Sequence, residues 1–350
     1  MPSSKKSETS PKKFSDSPNA FPEEFFNRCL SSGRLSHAYL LLGADISATA
    51  AFCIRLVRRL YCRSGCPPDE ARCAVCRRVE NGNHPDLHRL QPEEDGGSVK
   101  IELTREIRRM VNMARFEAPC KVVLIEHAER MTEAAQNQVL KTLEEPPGGT
   151  LMLLLSTTTT GLLPTVVSRC VPVRFAPLSE EQIRSRLESG KPGETDADWA
   201  ARAAAGSTER ARLLLERQAG RLNSQILETL GRRDASHWTE FSETLLNFGT
   251  QTGSPARERR RQLREKLDIL ALILRDALLV SLDIVDRRLY NADNSSDIDR
   301  ICEMFSTEEI LDALAFIAQS HKLIEKSVNP ELICDCIAQR LILGATERIQ

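Results

Sequence analysis

Long hydrophobic runs are missing from this 350-residue chain: no stretch of about 18 consecutive apolar residues occurs, which argues against a membrane-spanning helix. Aromatic residues are scarce at 5%, which favours helices packed with Leu, Ala, Ile and Val over a large β-sandwich. Net charge is nearly absent as well. The 48 Lys and Arg against 49 Asp and Glu leave −1, so charge alone does not mark the whole chain as a polyanion binder, local basic patches aside. Residues 1–20, rich in Ser, Lys and Pro, lack the apolar core of a secretory signal and are read as a disordered tail. A cytoplasmic chain of two or three domains is expected.

What is present comes in two styles. Between residues 21 and 176 short apolar runs alternate with helical patterns. Tyr39–Leu42, Val122–Ile125 and Leu151–Leu155 are too short for typical helices and apolar on both faces, as buried parallel strands are. Leu87–Leu90 is a weaker strand candidate, and Val171–Phe175, with Pro172, suits a sheet edge. Ile107, Met110, Val111 and Ala114 follow a helical stripe, and Thr132 is a plausible N-cap for a helix that ends at Pro146-Pro147. This pattern predicts an α/β domain with a mostly parallel sheet. Residues 177–218 read as a small helical domain, with a start at Ser179-Glu180-Glu181-Gln182, a break at Gly190–Gly193 and an interruption at Gly206-Ser207. Residues 219–350 read as a third, all-helical domain, with a stripe of Leu263, Leu267, Leu270, Leu274 and Leu278, a capping box at Ser306–Glu309, and a last helix from about Asn329 through Leu332, Ile333 and Leu341.

The strand ending at Gly43 stands where a phosphate-binding loop belongs in a nucleotide-binding α/β domain. Such a loop needs a second Gly, a Lys for the β- and γ-phosphates, and a Ser or Thr for Mg²⁺. At that spacing this chain has Ala48, Thr49 and Ala50, and Asp45 adds an anion within the loop. The strand ending at Ile125, where an ATPase places a Mg²⁺-binding Asp and often a water-activating Glu, continues instead with Glu126-His127. Productive ATP binding is therefore not expected, and Glu126 and His127 are read chiefly as packing or hydrogen-bonding groups at a strand end.

Four of the 11 cysteines, Cys62, Cys66, Cys73 and Cys76, fall within fifteen residues as C-x3-C-x6-C-x2-C, with Gly65, Pro67 and Pro68 favouring a turn between them. In a non-secreted chain such a cluster favours metal over disulfides, and four thiolates make a closed, structural zinc site. Redox chemistry or four idle thiols are the alternatives. His84, in His84-Pro85-Asp86, reads as part of a turn into the next strand and not as a ligand.

Taken together, several stretches resemble the delta-prime family of bacterial DNA polymerase III clamp-loader subunits. They are His37–Gly43, the cysteine cluster followed by Asn83-His84-Pro85-Asp86, the helix Asn137–Pro147 (NQVLKTLEEPP), and Leu163–Cys170 with its Ser168-Arg169-Cys170. The resemblance covers about residues 20 to 215 by motif and the remainder by length and helical character. It implies an AAA+ domain carrying a zinc module at 62–76, a helical lid and a helical collar that oligomerises. It also implies a subunit that hydrolyses no ATP itself. Such a subunit sits at one end of a five-membered ring with motor ATPase subunits and a delta subunit, and presents Arg169, next to Ser168, as an arginine finger to the neighbour's ATP. The sliding clamp and primer–template DNA are reached through that complex. The family's cysteines usually come as a distant first Cys and then three spaced by two residues. Here Glu70 stands three before Cys73, and Cys66 takes the missing role. In an active lid a nucleotide-sensing Arg follows a Gly-Ser pair, whereas here Thr208 and Glu209 separate Gly206-Ser207 from Arg210.

Two other readings remain open on the residues: an ATP-hydrolysing motor subunit of the same machine, and a zinc-dependent nucleic-acid binder. The basic run Arg257, Arg259, Arg260, Arg261 and Arg264 is diluted by Glu258 and Glu265 and is read as a solvated helix face.

Overall fold

Buried parallel strands must pair on both edges, and the three apolar runs do so. The computed structural model describes residues 20–67, 70–92, 109, 113–187, 194–232, 238–250, 253–284, 288–326 and 328–343. The tail, Ile107, Met110, Val111 and the break at Gly190–Gly193 lie outside them. The chain divides into two units, residues 1–178 and 179–350.

In the first unit, β1 (Ala38–Leu42), β2 (Leu87–Leu90), β3 (Lys121–Ile125), β4 (Thr150–Ser156) and β5 (Val171–Arg174) form one parallel sheet ordered β2-β3-β4-β1-β5. β1, β3 and β4 are buried along their whole length. Pro172 lies on the edge strand β5, where its missing N–H costs no ladder bond on the open side. Alternation along β1 sends Tyr39 and Leu41 to one core and Ala38, Leu40 and Leu42 to the other. The first core is covered by α1 (Ala20–Ser32) and α2 (Ile46–Tyr61), through Phe26, Phe52, Leu56 and Val57. The second is covered by α4 (Glu133–Glu144) and the short α5 (Pro164–Val167), through Val139, Leu143 and Val166. Between α2 and β2 lies α3 (Ala74–Glu80). Thr132 caps α4 by accepting from Ala135 N at 3.2 Å.

The described residues of the second unit form helices and no strand: α6 (Glu180–Leu187), α7 (Glu194–Ala203), α8 (Thr208–Glu216), α9 (Ala219–Leu230), α10 (Trp238–Asn247), α11 (Ala256–Ser281), α12 (Ser295–Met304), α13 (Thr307–Glu325) and α14 (Pro330–Ala338), followed by a π turn at Gln339–Leu343. Leu263, Leu267, Leu270 and Leu274 of α11 are buried, while Leu278 is half-buried. Leu332, placed on the apolar list of the last helix by sequence, is 56% exposed. The capping box at Ser306 forms in both directions. Trp199 and Ala200 of α7 share one apolar cluster with α9, α10 and α11.

A polar knot lies within this apolar unit. Asp276, fully buried, accepts from the backbone N and from Nδ2 of Asn291 at 2.8 and 3.0 Å. Asn291 Oδ1 in turn accepts from Trp199 Nε1 at 3.0 Å and Asn223 Nδ2 at 2.7 Å. Burial pushes the Asp276 carboxyl above its ordinary value, against the bonds from Asn291 and Arg275. Replacing Asn291 with Ala orphans two buried donors and removes one bond to the carboxylate. We expect a loss of about 2–4 kcal/mol in urea unfolding, against about 1 kcal/mol for Ser306→Ala at the exposed cap. A loss near zero for Asn291→Ala would mean the knot contributes nothing to stability.

Candidate functional site

The connection from β1 to α2 is where a phosphate would be cradled. The motif requires the four residues after Gly43 to wrap as a loop, so that their N–H groups converge on an anion. Here the helix begins at Ile46, leaving only Gly43, Ala44 and Asp45 between strand and helix. Asp45 is the N-cap: its Oδ1 accepts from Ala48 N at 2.8 Å, so a protein carboxylate occupies the donor-rich helix start. Thr49, buried, donates its hydroxyl to Asp45 O at 2.8 Å and lies over Gly43. A Cβ at Gly43 would stand 2.8 Å from Thr49 Oγ1 and 3.2 Å from Phe175 Cβ. The position of the phosphate-binding Lys is thus filled by a side chain turned back on the loop, and Ala50 faces the core.

At the end of β3, Glu126 is buried and accepts from Arg89 Nη2 at 2.6 Å, Arg89 Nε at 3.1 Å and Gln91 Nε2 at 3.0 Å. Its carboxylate is engaged within its own domain. His127 adopts a left-handed conformation, φ 52°, and its Nδ1 lies 3.3 Å from Glu129 Oε1. Glu129 also accepts from Ser156 Oγ at 2.7 Å. Burial would raise the Glu129 carboxyl, but the bonds from His127 and Ser156 outweigh it and hold the group below its ordinary value. Glu129 was not singled out in the sequence, because no spacing rule marks it.

Ser168 and Arg169 follow α5 at the surface. Arg169 Nη2 lies 2.7 Å from Glu144 Oε1 at the end of α4, and Nη1 donates to Thr165 O at 3.2 Å. Ser168 Oγ donates to the same carbonyl at 3.1 Å. The two stretches that sequence marks separately, residues 137–147 and 163–170, thus meet in one ion pair. Gln136, missed in the sequence, ties them further back: buried, it donates to Met131 O and Gly161 O at 3.1 and 2.7 Å and accepts from Leu163 N at 2.7 Å. Its only sequence signal is its place beside the 137–147 helix motif.

The four cysteines converge. The Sγ atoms of Cys62, Cys66, Cys73 and Cys76 all lie within 4.8 Å of one another, with Cys62 and Cys73 at 4.0 Å. A tetrahedral centre with Zn–S of about 2.3 Å requires sulfurs about 3.8 Å apart, close to this spacing. Cys62 caps the C-terminus of α2, and Cys73 caps the N-terminus of α3 by accepting from Cys76 N at 3.4 Å. That N–H holds the Cys73 thiol down at about 6, whereas burial pushes Cys76 up to about 12. Glu70 pairs with Arg72 and stands outside the cluster, and Cys66 completes it. The cluster can hold a metal ion.

His84 and Asp86 are buried in the turn before β2. His84 Nδ1 accepts from Asp86 N at 3.2 Å, and Tyr61 of α2 donates to Asp86 O at 2.9 Å. The Asp86 carboxylate accepts from Phe116, Glu117 and Ala118 N, each at 2.9 Å.

The five-stranded parallel sheet ordered β2-β3-β4-β1-β5, covered by helices on both faces, defines an α/β domain of AAA+ type. Residues 19–179 match the family described as "DNA polymerase III, delta subunit", and residues 255–339 match "DNA polymerase III, delta subunit, C terminal". A DNA polymerase III subunit delta' from Bacillus subtilis is 27% identical over 303 residues, 86% of this chain and 89% of that protein. One from Yersinia pestis is 38% identical over 142 residues, 40% of this chain and 42% of that protein. The subunit tau of Escherichia coli is 32% identical over 160 residues, 45% of this chain and 24% of its own length. The chain belongs to the DNA polymerase III clamp-loader subunit family, of the delta-prime type.

Asp86→Asn replaces a charged acceptor of three N–H groups by an amide that can serve fewer of them, and we expect it to lower stability by about 1.5–3 kcal/mol. Burial would raise the Asp86 carboxyl, but the three N–H groups outweigh it and hold it below its ordinary value. Its contribution is therefore full above the unfolded carboxylate value of about 4 and is lost as pH falls through the lower folded value. Urea melts of wild type and variant should converge in acid; a gap that stays constant with pH would contradict the assignment.

Proposed function

We propose that this chain is a non-hydrolysing delta-prime-type subunit that presents Arg169 in trans to the ATP of a neighbouring motor subunit, and so helps load the sliding clamp onto primed DNA. The observation that carries this reading is the start of α2: Asp45 caps the helix at Ala48 N, and Thr49 closes over Gly43 where a Lys and its phosphates would sit. Arg169, by contrast, is exposed on a short helix end that Gln136 fastens to the domain. A guanidinium placed beside a γ-phosphate stabilises charge developing in the transition state, and such fingers contribute about 10³–10⁵ in rate. In this reading, residues 177–218 serve as the lid and residues 219–350 as the collar. The partners are motor ATPase subunits and a delta subunit in a five-membered ring, with the clamp and primer–template DNA reached through that ring. The setting is cytoplasmic; no helix among the described residues is long and apolar enough to cross a membrane.

The similarity to tau favours a second reading, a motor that hydrolyses ATP. Against it stand Thr49 and Ala50 in place of the phosphate-binding Lys and Mg²⁺-binding hydroxyl, and the engagement of Glu126 by Arg89.

Arg169→Ala removes an exposed ion pair worth about 0–1 kcal/mol, so folding and assembly should persist. In the reconstituted loader, turnover at the adjoining motor site should fall by about 10³-fold or more. Unchanged DNA-stimulated ATPase in an intact five-membered complex would remove Arg169 from the mechanism.

In the same reading, Cys62, Cys66, Cys73 and Cys76 hold one structural Zn²⁺, which would fasten the end of α2 to α3. Elemental analysis of freshly purified protein should give about one zinc per chain, reduced in Cys66→Ser. A ratio near zero in wild type would reject the metal.

A further inference from the structure

Helices α8, α9 and α11, with the turn after α10, enclose a cavity of about 550 Å³ that the proposed function leaves unused. Its size falls within the roughly 300–1,000 Å³ of small-molecule sites. Leu214, Leu222, Phe248 and Ile269 supply apolar wall. Lys266 supplies a buried cation, only 5% exposed. Its Nζ donates to Leu246 O at 2.9 Å and Thr250 Oγ1 at 3.0 Å. Both acceptors are neutral, and an ammonium has a third N–H to give. Burial holds this amine at about 8, below the ordinary lysine value, the mark of a positive charge short of compensation. The other charges on the wall do not supply it: Arg217 pairs with Glu265, and Arg221 and Glu216 stand at the exposed rim.

We propose that this cavity binds an organic monoanion with an apolar body, its carboxylate accepting from Lys266 Nζ and its chain lying against Leu214, Leu222, Phe248 and Ile269. A phosphate-rich ligand fits poorly, because the carboxylates of Glu216 and Glu265 share the wall with apolar side chains. A neutral apolar molecule would leave the Lys266 charge as undercompensated as before.

The probe is octanoate, titrated calorimetrically into the full chain with octan-1-ol as the uncharged control. Octanoate should bind saturably at one site, and octan-1-ol at least about tenfold more weakly. Lys266→Met, close in volume and free of the buried charge, should fold and bind octanoate at least about tenfold more weakly. Should that variant fail to fold, wild-type protein settles the matter: octanoate should slow acetylation of Lys266 by N-hydroxysuccinimidyl acetate, read by peptide mass spectrometry, while lysines elsewhere react at unchanged rates. Equal binding of acid and alcohol, undiminished binding by folded Lys266→Met, or unaltered Lys266 acetylation would each overturn the proposal.

Discussion

A helix can offer its first N–H groups to a bound anion or to its own cap, and in this chain Asp45 takes them. Its carboxylate accepts from Ala48 N, its carbonyl accepts the Thr49 hydroxyl, and α2 starts immediately after it. Shortening the connection to three residues, Gly43 to Asp45, brings Thr49 and Phe175 over Gly43, where any side chain at position 43 would collide with them. What in a nucleotide-binding relative would be an open cradle is here a packed corner. The same helix runs 16 residues, about 24 Å, from that corner to Tyr61 and Cys62. One rod therefore joins the closed loop to the Asp86 turn and to the cysteine cluster.

The opposite face of the sheet leads to Arg169. There α4 and α5 pack on one core, Gln136 bonds the loop at Gly161 and Leu163, and Glu144 meets Arg169. The ion pair is exposed and weak, so it orients the guanidinium at small cost to any other contact. The proposed function rests on this combination of a filled corner at the start of α2 and an exposed arginine after α5.

Much of this was legible in residue types. Uniformly apolar runs marked β1, β3 and β4, because burial on both faces leaves no room for polar alternation. Pro172 marked an edge strand, and Thr132 and Ser306 marked helix starts through the hydroxyls that cap them. The cysteine cluster was legible because thiol spacing is local. The contacts that were not legible join residues far apart in sequence: Gln136 to Leu163, Arg89 to Glu126, Asp86 to Phe116–Ala118, and Trp199 through Asn291 to Asp276. Each depends on which side chains the fold brings together. The early start of α2 was hidden for a related reason: Asp45 suggested repulsion of phosphate, and only the backbone shows that its carboxylate is already satisfied by the helix.

The account turns on whether that corner admits a nucleotide. Titration of the purified chain with a fluorescent ATP analogue and Mg²⁺ tests it directly, with an established motor subunit as the positive control. Closure by Asp45 and Thr49 predicts no saturable binding and no phosphate release. Stoichiometric binding with turnover by the chain alone would contradict it.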